Sequence, residues 1–138
     1  MVAGDVSLLA EARRLIEHLE RCWSRFLPAS DLSRLNAARG AAVAVDPSTI
    51  VLLEAMVHGF IATDGAFDPT LLAPLVGLGY AASWHDSSAV TSVPAGSTLS
   101  GRIDEVAVDV AASVAQLPVG TIVDAGGIGK GLDRKSVV

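Results

Sequence analysis

An apolar segment that enters a glycine-rich turn constrains the fold of this chain most. Residues 121–123 read Thr-Ile-Val, and residues 124–131 read Asp-Ala-Gly-Gly-Ile-Gly-Lys-Gly. Glycines let a backbone approach an anion closely, and the N–H groups of such a turn supply positive potential. The pattern predicts a strand followed by a phosphate-binding turn. A tight turn in an irregular connection is the alternative interpretation.

The turn matches neither of the two common nucleotide-binding motifs. A Walker loop ends in Gly-Lys followed by Ser or Thr, whereas Gly131 follows Lys130, so no hydroxyl is placed for magnesium. A dinucleotide fingerprint has the spacing G-x-G-x-x-G, whereas Gly127, Gly129 and Gly131 are evenly spaced. The turn therefore needs further sequence context before a function can be assigned.

Two earlier blocks supply that context. The first block, residues 23–36, reads Trp-Ser-Arg-Phe-Leu-Pro-Ala-Ser-Asp-Leu-Ser-Arg-Leu-Asn, and the second block, residues 62–70, reads Ala-Thr-Asp-Gly-Ala-Phe-Asp-Pro-Thr. With the glycine-rich third block, residues 121–131, they resemble in this order the ApbE-like family of FAD:protein FMN transferases. The resemblance extends from Arg21 to Leu132.

The resemblance implies a magnesium-dependent flavin transferase that moves FMN from FAD to a threonine hydroxyl of an acceptor protein. FAD and Mg²⁺ are the implied cofactors, and the family pattern assigns no catalytic residue to this chain. An FAD-binding or FAD pyrophosphate-hydrolysing relative and a non-enzymatic fragment are the alternatives. The resemblance places the backbone carbonyl of Gly127 on the metal, and it places six residues on the flavin nucleotide: Phe26, Ala66, Phe67, Asp68, Asp124 and Lys130.

Each of these residues also has a purely structural interpretation. Lys130 is alternatively a solvated charge, Asp124 a turn cap and Phe26 a core residue of the first helix. Pro69 favours an extended Asp68, so that Asp68 or Thr70 caps the next helix. Four polar residues of the first block are predicted to fix the connection after the first helix, namely Ser24, Arg25, Arg34 and Asn36. The three histidines, His18, His58 and His85, show no metal-binding spacing.

The family's opening strand and everything after its glycine-rich turn have no counterpart in this chain. Residues 1–132 are therefore predicted to be the N-terminal portion of an FMN transferase domain, inactive and loosely folded when expressed alone. Residues 133–138, Asp-Arg-Lys-Ser-Val-Val, depart from the family pattern and are interpreted as a translated sequencing adaptor, with an ordinary polar terminus as the alternative. They are predicted to be a non-native tail.

Hydrophobic periodicity predicts an α+β fold, with helices packed on a mixed β-sheet, as in an incomplete ApbE-like (T-fold-like) domain. Asp46-Pro47 caps a central helix that is apolar nearly all round and that Asp64-Gly65 ends. Helices are predicted at residues 7–26, 47–63 and 69–76, and strands at 41–45, 106–110, 114–117 and 121–123. Residues 82–101 are predicted to form a loop, and residues 118–120 a turn.

Composition excludes several classes of function. A net charge of −5 argues against nucleic-acid binding, which requires a basic face. No apolar run is long enough for a membrane span. Cys22 is the only cysteine, so neither an intrachain disulfide nor a cysteine zinc site is expected. The sequence predicts a cytoplasmic protein, or an exported lipoprotein if its natural start is missing.

Overall fold

The computed structural model describes residues 3–83, 88–91 and 93–126. Four helices, one 3-10 turn and three short strands are found among these residues. In chain order they are α1 (Ala3–Trp23), α2 (Asp31–Ala37), β1 (Val43–Ala44), α3 (Pro47–Ala62), α4 (Leu72–Gly77), the 3-10 turn (Ile103–Glu105), β2 (Ala107–Asp109) and β3 (Val114–Gln116). The predicted α+β class is confirmed.

The three described strands form a small sheet in the order β1-β3-β2. Ala115 at the centre of β3 pairs with Val43 on one side and with Val108 on the other, and both pairings are antiparallel. Parallel pairing, which a mixed sheet requires, does not occur among the described strands. The Ser113 hydroxyl donates to the carbonyl of Val45 at 2.6 Å and ties β1 to the start of β3.

Helix α3 is the centre of the core, as its sequence predicts. Asp46 precedes the helix in an extended conformation, and its carboxylate accepts from the Ser48 N–H at 2.9 Å. Leu52, Leu53 and Met56 are completely buried. Fully burying one such side chain contributes about 1.5–3 kcal/mol, so this face of α3 is a main source of stability.

Helix α1 packs against this core through its C-terminal part. Leu19 and Trp23 are buried, whereas Val6, Leu8 and Leu9 near its N-terminal end are 64–71% exposed. The helix ends at Trp23, three residues before the predicted end, because the chain turns between Ser24 and Ser30. No helix in the described part of the chain is both long and apolar enough to cross a membrane.

The sequence analysis was wrong to assign no helix between Pro28 and the first strand. Helix α2 occupies Asp31–Ala37, and its N-cap Ser30 accepts a hydrogen bond from the Ser33 N–H at 3.1 Å. Leu32 and Leu35 are buried one turn apart against the core. Seven residues contain too few repeats of the helical period for the pattern to be recognised.

Two further predicted elements are corrected. Helix α4 begins at Leu72 and not at Pro69, because residues 69–71 form turns. Residues 121–123 are buried but do not form a strand. The side-chain amide of Asn36 hydrogen-bonds both the N–H and the carbonyl of Val123, which are the groups that a neighbouring strand would otherwise pair with. The turn predicted at 118–120 is confirmed by the hydrogen bond from the Thr121 N–H to the Pro118 carbonyl.

Candidate functional site

The three sequence blocks meet at Asp124. The Asp124 N–H donates to the carbonyl of Pro69 in the second block at 3.1 Å. Its carboxylate Oδ1 lies 3.7 Å from Nε of Arg25 in the first block. Residues that are far apart in the sequence are therefore joined by one backbone hydrogen bond and one ion pair.

A cavity of about 310 Å³ opens at this junction. That volume is at the lower end of the range for small-molecule sites, so it accommodates part of a dinucleotide. Four of the predicted flavin-contacting residues line it together with neighbouring residues. The lining comprises Ala66, Phe67, Asp68, Pro69, Leu71, Leu75, Asp124 and Gly126.

The end of α3 positions the second block. Asp64 and Gly65 have φ angles of +52° and +82°, a left-handed conformation that reverses the chain and that glycine adopts without steric cost. The Thr63 hydroxyl donates to the Gly59 carbonyl at 2.8 Å and accepts from the Phe67 N–H at 2.9 Å. These bonds hold the backbone of Ala66–Asp68 at the cavity wall.

Asp68 stabilises the turn that follows it. Its Oδ1 accepts from the Thr70 N–H at 2.9 Å and from the Thr70 hydroxyl at 2.6 Å. The Thr70 hydroxyl also accepts from the Gly101 N–H at 3.1 Å. The prediction that Asp68 or Thr70 caps the next helix was wrong. The N-cap residue of α4 is Leu71, and no side chain makes a capping hydrogen bond there. The other oxygen of Asp68, Oδ2, lies close to Gly101.

Asn36 fixes the backbone that leads to Asp124. Its Nδ2 donates to the Val123 carbonyl at 3.0 Å, and its Oδ1 accepts from the Val123 N–H at 2.9 Å. Asn36 is 4% exposed and Val123 is completely buried, so both bonds are shielded from water. Asn36 belongs to the group that was predicted to fix the connection after the first helix. The structure shows that it also holds the third block.

Gly126 keeps space open beside the Asp124 carboxylate. A Cβ atom at residue 126 would lie 3.0 Å from Asp124 Oδ2, which is closer than nearly all real contacts of this kind. The Asp124 side chain is 22% exposed and therefore remains accessible from the cavity. One of its oxygens faces Arg25, and the other faces the start of the glycine-rich turn.

Arg25 is part of the site, which the sequence analysis missed. It donates from Nη1 to the Thr91 hydroxyl at 2.9 Å, and its side chain is only 12% exposed. Its guanidinium lies over the Phe26 ring, 4.4 Å from the centroid, in a cation–π contact. Phe26 is half-buried and does not line the cavity. It contacts Arg25, which in turn pairs with Asp124. The Ser-Arg-Phe sequence of residues 24–26 was the signal that could have assigned Arg25 to the site, because Arg25 directly precedes the predicted flavin contact Phe26.

The described lining is suited to accepting hydrogen bonds. Its charged residues are Asp68 and Asp124, and Arg25 is engaged behind Asp124. Carboxylates bind sugar hydroxyls, N–H groups and hard cations, whereas a phosphate needs cationic or N–H donors. Gly127 and Lys130, which were predicted to bind the metal and a phosphate, lie outside the described residues, as do residues 133–138.

Comparisons with known proteins show the family and the fold. A model of the ApbE family matches residues 2–136. The fold is similar to that of an ApbE protein from Thermotoga maritima, with a TM-score of 0.75 and 22% identity over 95% of this chain. It is also similar to a flavinyl transferase ApbE from Pseudomonas stutzeri, with a TM-score of 0.75 and 21% identity over 96% of this chain.

The flavin transferase ApbE from Vibrio cholerae is a third similar structure, with a TM-score of 0.66 and 23% identity over 95% of this chain. The chain spans 42–43% of the length of these three proteins. A search among curated proteins gave no match.

Proposed function

The chain belongs to the ApbE family, and on that premise we propose that it forms the N-terminal portion of a flavin transferase domain. The proposed reaction moves FMN from FAD to a threonine hydroxyl of an acceptor protein. The threonine oxygen attacks the FMN phosphorus, the bond to the AMP oxygen breaks, AMP leaves, and the threonine proton passes to a base. The observation that carries the proposal is the convergence of all three blocks on Asp124.

In this proposal the described half of the site orients the flavin nucleotide. Asp124 accepts hydrogen bonds from a ribityl or ribose hydroxyl through the oxygen that faces the open space beside Gly126. Ala66, Phe67 and Asp68 form the opposite wall, which Thr63 and Thr70 hold in place. Phe26 contributes through its stack on Arg25.

Arg25 has a positioning role. Its guanidinium is held between Thr91, Phe26 and Asp124, which leaves it little freedom to reach a phosphate. The ion pair with Arg25, at 3.7 Å between Nε and Oδ1, restricts the rotamer of Asp124. The carboxylate is thereby kept as a hydrogen-bond acceptor in one orientation, which lowers the entropy cost of binding.

The proposed metal ligand is a backbone carbonyl. Mg²⁺ prefers carboxylate and carbonyl oxygens and keeps several waters, and the Gly127 carbonyl follows directly after Gly126, beside which Asp124 Oδ2 lies. When bound, Mg²⁺ supplies charge neutralisation at the pyrophosphate oxygens. Lys130 is proposed to pair with a phosphate oxygen, which would provide the cation that the described lining lacks.

The experiment titrates the protein made from the complete reading frame containing this chain with FAD in the presence of Mg²⁺, and binding is measured by the quenching of flavin fluorescence. Asp124→Asn preserves the shape of the side chain but removes its charge. Loss of a hydrogen bond to a charged group costs about 1.5–3 kcal/mol, so we expect binding to weaken by about 10- to 150-fold.

The matched control is Asp104→Asn, because Asp104 is an exposed carboxylate in the 3-10 turn and does not line the cavity. We expect its FAD affinity to equal that of the unmodified chain. Equal affinity of the Asp124 and Asp104 variants, with both folded by circular dichroism, would remove Asp124 from the proposed site.

A further inference from the structure

Three metal-binding side chains from two helices converge outside the cavity. His18 and Cys22 are one turn apart on α1, and Asp46 is the N-cap of α3. His18 Nε2 lies 3.1 Å from Asp46 Oδ2 and 3.7 Å from Cys22 Sγ. The three candidate donor atoms all lie within 4.8 Å of one another.

Two of the three distances are close to the edges of a tetrahedral zinc site. Zinc binds histidine nitrogen and carboxylate oxygen at about 2.0–2.2 Å and cysteine sulfur at about 2.3 Å. Tetrahedral angles between such bonds separate the ligand atoms by about 3.3–3.7 Å. The separations of 3.1 and 3.7 Å from His18 Nε2 lie near this range, and the separation between the Cys22 and Asp46 ligand atoms lies within 4.8 Å. A side-chain adjustment of up to about 1 Å would bring all three atoms around a shared cation.

The backbone already orients the ligands. Residues four apart on a helix lie on the same face, which places His18 above Cys22. Asp46 Oδ1 accepts the capping hydrogen bond from the Ser48 N–H, which leaves Oδ2 directed at His18. The carboxylate can thus bind a cation without giving up its role as the cap of α3.

The surroundings of Cys22 favour a cation. Burial, followed by the nearby carboxylates of Asp31 and Asp46, raises the pKa of the Cys22 thiol. Asp31 is not a free ligand, since it pairs with Arg34 and accepts from the Asp46 N–H and the Thr49 hydroxyl. The two carboxylates favour a cation at this position, and a bound cation must displace the thiol proton.

A buried hydroxyl lies beside the cluster. The Ser48 Oγ is shielded from solvent and lies next to the Cys22 thiol and the Asp46 carboxylate. Its oxygen is a further polar neighbour for a cation held by these residues.

The cluster is open to solvent on one side. Cys22 is 7% exposed, whereas the side chains of His18 and Asp46 are 42% and 31% exposed. A cation can therefore enter from the histidine side and keep water as its fourth ligand. Three protein ligands with one open position is a common zinc arrangement.

We propose that His18, Cys22 and Asp46 bind Zn²⁺ through Nε2, Sγ and Oδ2, with water as the fourth ligand, and that the metal joins α1 to α3. The mixed nitrogen, sulfur and oxygen donors select zinc or cobalt over magnesium and calcium. Binding releases the Cys22 proton to solvent. The proposal differs from the expectation that no cysteine zinc site is present, and it is independent of the proposed flavin site.

The test is a titration of the untagged chain with Co²⁺, which replaces zinc and reports a bound thiolate by charge-transfer absorption in the near ultraviolet. We expect this absorption to saturate at one cation per chain and to disappear when Zn²⁺ is added. Cys22→Ser should remove it. His18→Gln and Asp46→Asn should each weaken cobalt binding by about 10-fold or more.

His58→Gln is the matched control, because His58 is an exposed histidine on α3 and is not part of the cluster. We expect it to bind Co²⁺ with unchanged affinity. His18 is the decisive position if the cysteine variant fails to fold, since its side chain is 42% exposed and tolerates substitution. Absence of the absorption in the folded unmodified chain, or equal affinity of the His18 and His58 variants, would overturn the proposal.

Discussion

Replacing Asn36 should weaken the attachment of the third block to helix α2. Its side chain makes two hydrogen bonds to the backbone of Val123, at 3.0 and 2.9 Å, in the manner of a neighbouring strand. Val123 directly precedes Asp124, so the orientation of the candidate site depends on this contact. Asn36→Ala removes both bonds and changes no residue that lines the cavity.

The size of the effect follows from burial. Asn36 is 4% exposed and Val123 is fully buried, so water does not replace the lost bonds unless the structure opens. Leaving a buried donor or acceptor unsatisfied costs about 1–3 kcal/mol, and two such groups are created. We therefore expect Asn36→Ala to lower the free energy of unfolding by about 2–6 kcal/mol, a large part of the stability of a small domain.

The assay is urea denaturation followed by circular dichroism, with hydrogen exchange at the Val123 amide as a local measurement. Gln116→Ala is the control, because the exposed Gln116 side chain donates to the Gly40 carbonyl at 2.6 Å. Its loss should cost about 0.5–1.5 kcal/mol or less. Equal destabilisation by the two variants, with Val123 exchange unchanged, would refute the argument from burial.

Two further perturbations test other contacts. Gly40→Ala should destabilise the chain by about 1–3 kcal/mol, because Gly40 has a φ of +89° and the new Cβ would lie 2.6 Å from Val119 Cγ2. Gly77→Ala, whose new Cβ meets no atom within 4 Å, should stabilise the chain by about 0.4–1 kcal/mol in the same denaturation assay. The hydrogen bonds from Arg102 hold the pKa of Glu105 below its usual value. NMR titration of Glu105 should show the lowered pKa, and Arg102→Gln should return it to its usual value. The small contribution of this ion pair to stability should be present above about pH 4.3 and should be lost as the pH falls through the lowered pKa.

Helix α3 was predicted well because residues at both of its ends signal where a helix starts and stops. Helix α3 begins after Asp46-Pro47 and ends before the left-handed pair Asp64-Gly65, and these signals need no tertiary information. Helix α2 was missed because its length of seven residues hides the period. Residues 121–123 were predicted to be a strand because they are apolar, but their pairing partner is a side chain 87 residues away.

The same distinction applies to the candidate site. The resemblance of the three blocks predicted four site residues that the structure brings to one cavity, namely Ala66, Phe67, Asp68 and Asp124. The ion pair between Arg25 and Asp124 depends on how α1 approaches the third block, which no local pattern encodes. The cluster around Cys22 likewise depends on the packing of α1 against the start of α3.

Transfer of FMN to a threonine tests the central proposal most directly. The protein made from the complete reading frame containing this chain is incubated with FAD, Mg²⁺ and a threonine-bearing acceptor protein, and the acceptor is analysed by mass spectrometry. We predict release of AMP and an FMN adduct on the threonine, both strongly reduced at limiting FAD in Asp124→Asn and retained in Asp104→Asn. Appearance of only free FMN and AMP would favour the hydrolase alternative, and intact FAD with an unmodified acceptor would contradict the proposed flavin chemistry.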